Sequence, residues 1–211
     1  MSRNNNSPPT EADFSNDDDE HEYQDTYKVT NKKSLQEYAK LDAEDESLTK
    51  WKESLGLNTG KILPLEYPSD KRQVVIKKIE LVVSTDPRKP ILFDLTNDET
   101  IEKLSKTKHK IKEGSVFNLR ITFKIQHEII TGLRYVQYIK KAGIPIDKID
   151  DQLGSYAPNT VNKQEYIVTL PEVEAPTGFL ARGSYSAVSK FIDDDKVNHL
   201  TLNWGVEIVK G

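Results

Sequence analysis

The stretch VFNLRITFKI, residues 116–125, alternates without a break. Phe117, Leu119, Ile121, Phe123 and Ile125 fall on one side of an extended chain; Asn118, Arg120, Thr122 and Lys124 fall on the other. A repeat of two marks a half-buried strand and does not fit the helical repeat. The same alternation returns at Ile79, Leu81 and Val83, at Tyr166, Val168 and Leu170, and at Leu200, Leu202, Trp204, Val206 and Ile208. With segments near Phe93, Tyr135 and Tyr185, the pattern predicts seven to nine short strands separated by turn residues, with no long helix between them. The expected fold is all-β, an immunoglobulin-like antiparallel β-sandwich. One stretch departs from it. LRYVQYIKKAGIPI is apolar on both faces around Tyr135, Val136, Tyr138 and Ile139, so an N-terminal segment or a partner is expected to cover the outer face.

The chain before the sandwich reads differently. Glu11 to Asp25 holds eight acids and no Lys or Arg. Such a segment buries little and repels itself, so it is expected to be disordered when free. It serves either as a solubilising tail or as an arm that steers toward a cationic partner. Ser34 stands three residues before Glu37, a capping-box spacing, with Leu35, Tyr38 and Ala39 on one face. Asp42 caps a second expected helix, in which Leu48, Trp51 and Leu55 recur at helical spacing before Gly56 ends it. Helices this short are marginal alone, so their apolar stripes need a surface. The predicted organisation is a flexible N-terminal arm with two short helices ahead of the sandwich: an acidic tail over 1–26, the arm over 27–63 and the β domain over 64–211.

Several function classes are disfavoured. No window is apolar for the ~18 residues of a membrane span, and the N-terminus lacks the apolar centre of a secretory signal. The absence of cysteine removes disulfides, zinc–thiolate sites and thiol catalysis. A net charge of -4 argues against wholesale nucleic-acid binding and suits a basic partner. The four histidines form no HExxH, and neither a glycine-rich phosphate loop nor a GxSxG elbow is present. Asp193, Asp194 and Asp195 are consecutive, so they lack the alternate spacing of a calcium loop. They are expected to form a solvated acidic loop that presents carboxylates to a cationic surface. No catalytic residue, metal or cofactor is predicted.

DESLTKWKESLG, IKEG, GSYAP, EAPTGFLARGSYS and DDDK followed by HL together resemble the Rho GDP-dissociation inhibitors, from about Tyr27 to Gly211. The resemblance implies a sandwich that holds the isoprenoid of a Rho-type GTPase between its sheets, and an arm that becomes helical on the GTPase switch regions. It implies slowed GDP release, membrane extraction and a soluble cytoplasmic complex, with no reaction catalysed. The expected partners are prenylated Rho-family small GTPases, GDP-bound by preference and held one to one. Geranylgeranyl or farnesyl is the bound lipid; nucleic acid is excluded, and any membrane encounter is transient.

Carried over by position, Asp45, Ser47, Leu48 and Trp51 face the switches, as do Asp194 and Asp195. Glu174 faces the basic tail before the lipid; the family's second glutamate falls on Val173, with Glu172 beside it. Leu81, Phe117, Ile121, Ile129, Leu180, Ala187, Leu202 and Trp204 line the isoprenoid pocket. Relatives commonly carry Tyr at Trp51, an aromatic at Leu202, a larger aliphatic at Ala187 and Phe at His109, so a roomier cavity with a polar edge is expected. The alternatives are a general prenyl-lipid carrier that reads no switch, and an enzyme on a β-sandwich.

Overall fold

The structure, a computed structural model, describes residues 45–47, 50, 61–66 and 68–211. The expected acidic tail, the Ser34 capping box, Leu48 and Trp51 lie outside the described residues.

Two five-stranded sheets face each other. The first runs β2 (Ile91–Asp94), β1 (Val74–Val83), β4 (Val116–Ile125), β7 (Tyr166–Thr169), with the short β8 (Val173–Glu174) paired to the opening residues of β4. The second runs β3 (Lys108–Lys112), β10 (Asn198–Val209), β9 (Gly183–Ile192), β5 (Ile130–Lys141), β6 (Ile144–Tyr156). Among the described strands only β3 and β10 pair in parallel. The all-β sandwich read from the alternation is the observed fold.

The pattern produces the register directly. Ile79 lies opposite Ile121 and Leu81 opposite Leu119, all buried, so both strands turn their apolar rows inward together. The intervening residues face out: Arg120 grips Glu80 through two hydrogen bonds of 3.0 and 2.9 Å and holds that carboxyl below its usual range. Aromatic rings fill the interior. Phe93 packs on Trp204 with centroids 5.0 Å apart, and Tyr135 meets Phe191 edge-on at 5.3 Å.

Three features add to the sequence reading. A short helix, α1 (Asp98–Lys106), enters between β2 and β3. Its capping is local: the Asn97 side chain accepts from the Thr100 N–H, acids occupy the first turn, and Lys103 and Lys106 occupy the last. Leu104 is its one fully buried residue. Among the described residues the strands number ten rather than seven to nine, because β3, β6 and β8 carry weak or no alternation. On the doubly apolar stretch, Tyr138 lies beneath the ammonium groups of Lys148 and Lys190, at 5.6 and 5.9 Å from its ring centre, so neighbouring strands supply part of the cover themselves.

His109 lies inside against Phe93, with centroids 4.8 Å apart, and its Nε2 is buried without a partner among the described residues. It does not stand at the cavity mouth. Burial pushes the imidazole pKa below its ordinary value. The fold favours neutral His109 while the unfolded chain takes up the proton. This contribution is therefore intact above the ordinary histidine pKa and is lost as pH falls below it. His109→Phe removes an unsatisfied buried nitrogen and is expected to stabilise the fold by about 1 kcal/mol, with a larger gain in melting temperature at pH 5 than at pH 8. An equal gain at the two pH values would show that His109 does not titrate with unfolding.

Candidate functional site

Between the sheets lies an apolar cavity of about 80 Å³. Leu81 and Phe117 reach it from the first sheet, Ala187 and Trp204 from the second. The remaining pocket residues expected from sequence stand elsewhere. Ile121 and Leu202 are wholly buried in the core and do not line the void. Ile129 is half-buried before β5. Leu180 is 87% exposed on the loop before β9 and turns away from the interior. Ile111, Leu170, Val173, Tyr185 and Val206 also line the cavity, and Asn118, Gln137 and Asp151 are its polar members. Tyr185 is in phase with Ala187, and Val206 with Trp204, so alternation marks them as inward. It does not tell which inward residues border empty space.

The cavity floor is polar beneath its surface. Ser189 Oγ accepts the indole N–H of Trp204 at 2.9 Å and bonds the Tyr135 hydroxyl at 2.8 Å. All three residues are buried, and burial drives the Tyr135 phenol far above its ordinary pKa. The hydroxyls satisfy one another, so two large rings are fixed without an orphaned polar atom.

Functional groups cluster at the two ends of the strands. At one end, β4 finishes, β5 starts and β9 finishes. The DDDK turn lies here and is not uniformly solvated as expected. Asp193 is buried: one carboxylate oxygen accepts the Val197 N–H at 2.9 Å, the other meets His199 Nε2 at 2.8 Å. Lys196 closes the turn at φ 63. Asp194 and Asp195 are exposed. The Asp194 N–H donates to the Thr131 carbonyl at 3.1 Å, and its carboxylate lies where a Cβ on Gly132 would be. Gly132, at φ 56, is thus the residue that gives Asp194 its seat.

The root of the arm meets the same end. Leu63 N–H donates to the Asn159 carbonyl and Val161 N–H to the Lys61 carbonyl, so Lys61–Leu63 are laced to the sandwich. A cleft of about 710 Å³ with a mixed apolar and polar lining flanks the root. Charged and amide side chains such as Arg72, Lys124 and Asn159 line it together with Leu63, Leu65 and Pro158. In the described part of the arm, the Asp45 carboxylate accepts the Ser47 N–H at 2.8 Å, and the backbone is helical from Glu46. Asp45 is therefore an N-cap as well as an acid.

The opposite end carries the cavity's outer residues. Val173 pairs with Phe117 and faces the cavity, while Glu172 and Glu174 flank it and are exposed. Ser84 Oγ donates to Glu172 at 3.1 Å. The acids at this end and Asp194–Asp195 are separated by roughly the ten residues of β9, about 33 Å at the rise of a strand. Among the described residues no group of three or more His, Cys, Asp or Glu could hold a metal ion, and no helix is long and apolar enough to cross a membrane.

The sequence profile described as RHO protein GDP dissociation inhibitor matches residues 12–211 of this chain. The Rho GDP-dissociation inhibitor of Saccharomyces cerevisiae is 68% identical over 199 residues, 94% of this chain and 97% of that protein. That of Schizosaccharomyces pombe is 43% identical, covering 92% of this chain and 91% of its own. Rho GDP-dissociation inhibitor 1 of Homo sapiens is 40% identical, covering 92% and 90%.

The buried Asp193 gives a direct test of how the acidic turn is held. Asp193→Ala leaves the Val197 N–H and His199 without their acceptor and is expected to lower the unfolding free energy by about 1–3 kcal/mol. Asp194→Ala, at an exposed position, is expected to change it by less than about 0.5 kcal/mol. Urea titrations of the two variants compare them; equal small losses would mean that Asp193 does not pin the turn.

Proposed function

Because the chain belongs to the RHO protein GDP dissociation inhibitor family, we propose that it binds prenylated Rho-type GTPases one to one, in the GDP form by preference, draws them from membranes and holds them soluble in the cytoplasm. The family is one of regulators, not enzymes, and no catalytic step is assigned to the chain.

In this reading the two ends have separate tasks. Asp45, Ser47, Leu48 and Trp51 of the arm, with Asp194 and Asp195, engage the switch regions. The cargo's C-terminal tail then runs along the sandwich, where Glu172 and Glu174 take its basic residues and the interior takes the geranylgeranyl or farnesyl chain. The observation that carries the proposal is this placement: the arm root and Asp194–Asp195 share one end, and the apolar cavity with its flanking acids opens toward the other. A carrier that read only lipid would have no use for the first end.

The cavity as it stands is too small. Ligand sites commonly measure roughly 300–1,000 Å³, against about 80 Å³ here. The lipid must therefore widen it. The wall proposed to move is β8, which is two residues long and makes two register pairs with β4, between the Ser84–Glu172 bond and the anchored Ala175. Moving Val173 aside opens the interior beside Phe117, while the sealed floor at Ser189 stays in place. Leu81, Phe117, Ala187 and Trp204 form the fixed walls of the proposed pocket; Ile121 and Leu202 act as core behind it, and Ile129 stands half-buried at the far end.

Energy sets the division of labour. An isoprenoid gains about 0.8 kcal/mol per CH₂ in a bilayer and a similar amount in a protein interior, so the two nearly cancel. Extraction has to draw on contacts that a membrane lacks. The arm and the cavity supply them as linked sites, each raising the effective concentration of the other.

A chain beginning at Lys61 keeps the laced root and is expected to bind a prenylated peptide as the full chain does, while losing the slowing of GDP release. Fluorescent-nucleotide exchange and peptide titration measure both; full inhibition by the shortened chain would overturn the two-site reading. Asp45 separates a second pair of effects. Asp45→Asn keeps the helix cap and loses the charge, whereas Asp45→Ala loses both, the cap alone being worth about 1 kcal/mol. GTPase affinity is expected to fall modestly in the first and about fivefold further in the second. Unchanged affinity in both would remove Asp45 from the interface.

A further inference from the structure

The loop before β9 displays two large apolar side chains to solvent: Phe179 is 83% exposed and Leu180 87%. It is braced from below. The Glu113 carboxylate accepts from Arg182 Nη2 at 2.7 Å, Arg182 Nε at 3.1 Å and the Gly178 N–H at 3.0 Å. Lys141 Nζ donates to the Leu180 carbonyl and, at 3.1 Å, to the Arg182 carbonyl. The Tyr185 hydroxyl donates to the Ala181 carbonyl. A loop held this way presents its tip to solvent.

The surroundings are cationic although the whole chain is net acidic. Lys112 lies opposite Val209 at the same end of the second sheet, followed on β10 by Lys210, and Lys110 stands one inward-facing residue earlier; all three lysines are exposed. Arg182 and Lys141 stand at the loop's base. Ile144, more than half exposed, pairs with Lys141 across the β5–β6 hairpin. The acids at this end of the second sheet are Glu113, engaged by Arg182, and Glu207, opposite Lys110. Glu174 pairs with Val116 at the edge of the first sheet and Glu172 stands two residues before it; the next residue, Ala175, bonds Gly114 and Ser115, so these two acids border the collar on its first-sheet side.

We propose that this end of the second sheet is a docking surface for an anionic lipid bilayer, with Phe179 and Leu180 inserted at the headgroup boundary and the lysines over the headgroups. Exposed apolar side chains within a cationic collar have the composition of an interfacial membrane contact. The basic tail of the proposed cargo is repelled by this collar and matched by Glu172 and Glu174, so a lipid surface fits it better than the cargo protein does. Docking there brings Phe117 and Val173, at the cavity's outer end, close to the bilayer. The use of docking in lipid transfer rests on the isoprenoid reading; the docking itself does not.

The test is sedimentation of the full chain, without any GTPase, with phosphatidylcholine vesicles and with mixed phosphatidylcholine–phosphatidylserine vesicles. The chain is expected to bind the mixed vesicles and to release as salt rises. Phe179→Ser/Leu180→Ser is expected to weaken binding about tenfold. Lys110→Glu/Lys112→Glu is expected to weaken it at least as much, since each lysine at such a surface is worth roughly fivefold. The chain lacks cysteine, so Phe179→Cys carries a single environment-sensitive fluorophore, expected to shift to the blue on mixed vesicles alone. Equal sedimentation with both vesicle types, undiminished binding by the folded tip variant, or a label that stays in water would each overturn the proposal. So would a tip variant that fails to slow GDP release from an unprenylated GTPase, because the tip would then belong to a protein interface. Loss of vesicle binding with inhibition intact upholds the docking surface whatever the interior holds.

Discussion

Trp204 is the joint on which the rest turns. One face of its ring packs on Phe93, in the part of the interior that is filled. The ring also borders the cavity, in the part that is not. Its N–H is tied to Ser189, which is itself tied to Tyr135 on the neighbouring strand β5. A sandwich with an empty space between its sheets tends to collapse, because lining atoms lose dispersion contacts to nothing. Two hydrogen bonds inside a low-dielectric interior oppose that collapse by fixing the rings in one orientation. The lower half of the core thus stays rigid while the upper half is left only partly filled.

The strands transmit that rigidity to both ends. β9 crosses the cavity at Ala187, bonds the floor at Ser189 and ends in the Asp193 turn. Asp193 and Gly132 fix where Asp194 sits without themselves reaching a partner. At the other end the same strand begins at the braced loop. Two proposed sites at opposite ends of one strand would keep a constant spacing, which the linked-site arithmetic requires: effective concentration falls away when the span between sites varies beyond what the tether can bridge.

Much of this was legible from residue order. The inward rows of β1, β4, β7 and β10 follow from alternation alone, because one buried face per sheet forces it. The helix α1 was equally legible in principle: Asn97, two acids, and lysines in the last turn form a capped helix signature, though the run is too short to stand out against the surrounding strands. β6 hid because its central residues, Asp147, Asp150 and Asp151 among them, are polar on both faces. Cavity membership was only half legible. Leu81 and Ile121 carry the same pattern, and both are fully buried, yet only Leu81 borders the void. Emptiness depends on how neighbouring volumes sum across two sheets, which no single strand's order records. The acidic triplet misled for a related reason: three identical residues in a row conceal that a tight turn points one of them inward, toward a histidine six positions from Asp193.

The exposed loop completes the physical logic. An interior that matches the bilayer in solvation offers little net drive for a lipid to leave one for the other. The barrier between them is a different matter, since an isoprenoid crossing open water exposes all of its apolar area at once. In the proposed docking, a braced apolar tip beside the cavity shortens that crossing without altering either endpoint. Arg182 and Glu113 matter here because a floppy loop would bury Phe179 against the sandwich and hide the contact. Equilibrium and rate are then governed by different parts of the chain: the proposed switch contacts decide where the lipid rests, and the proposed docking tip decides how quickly it moves.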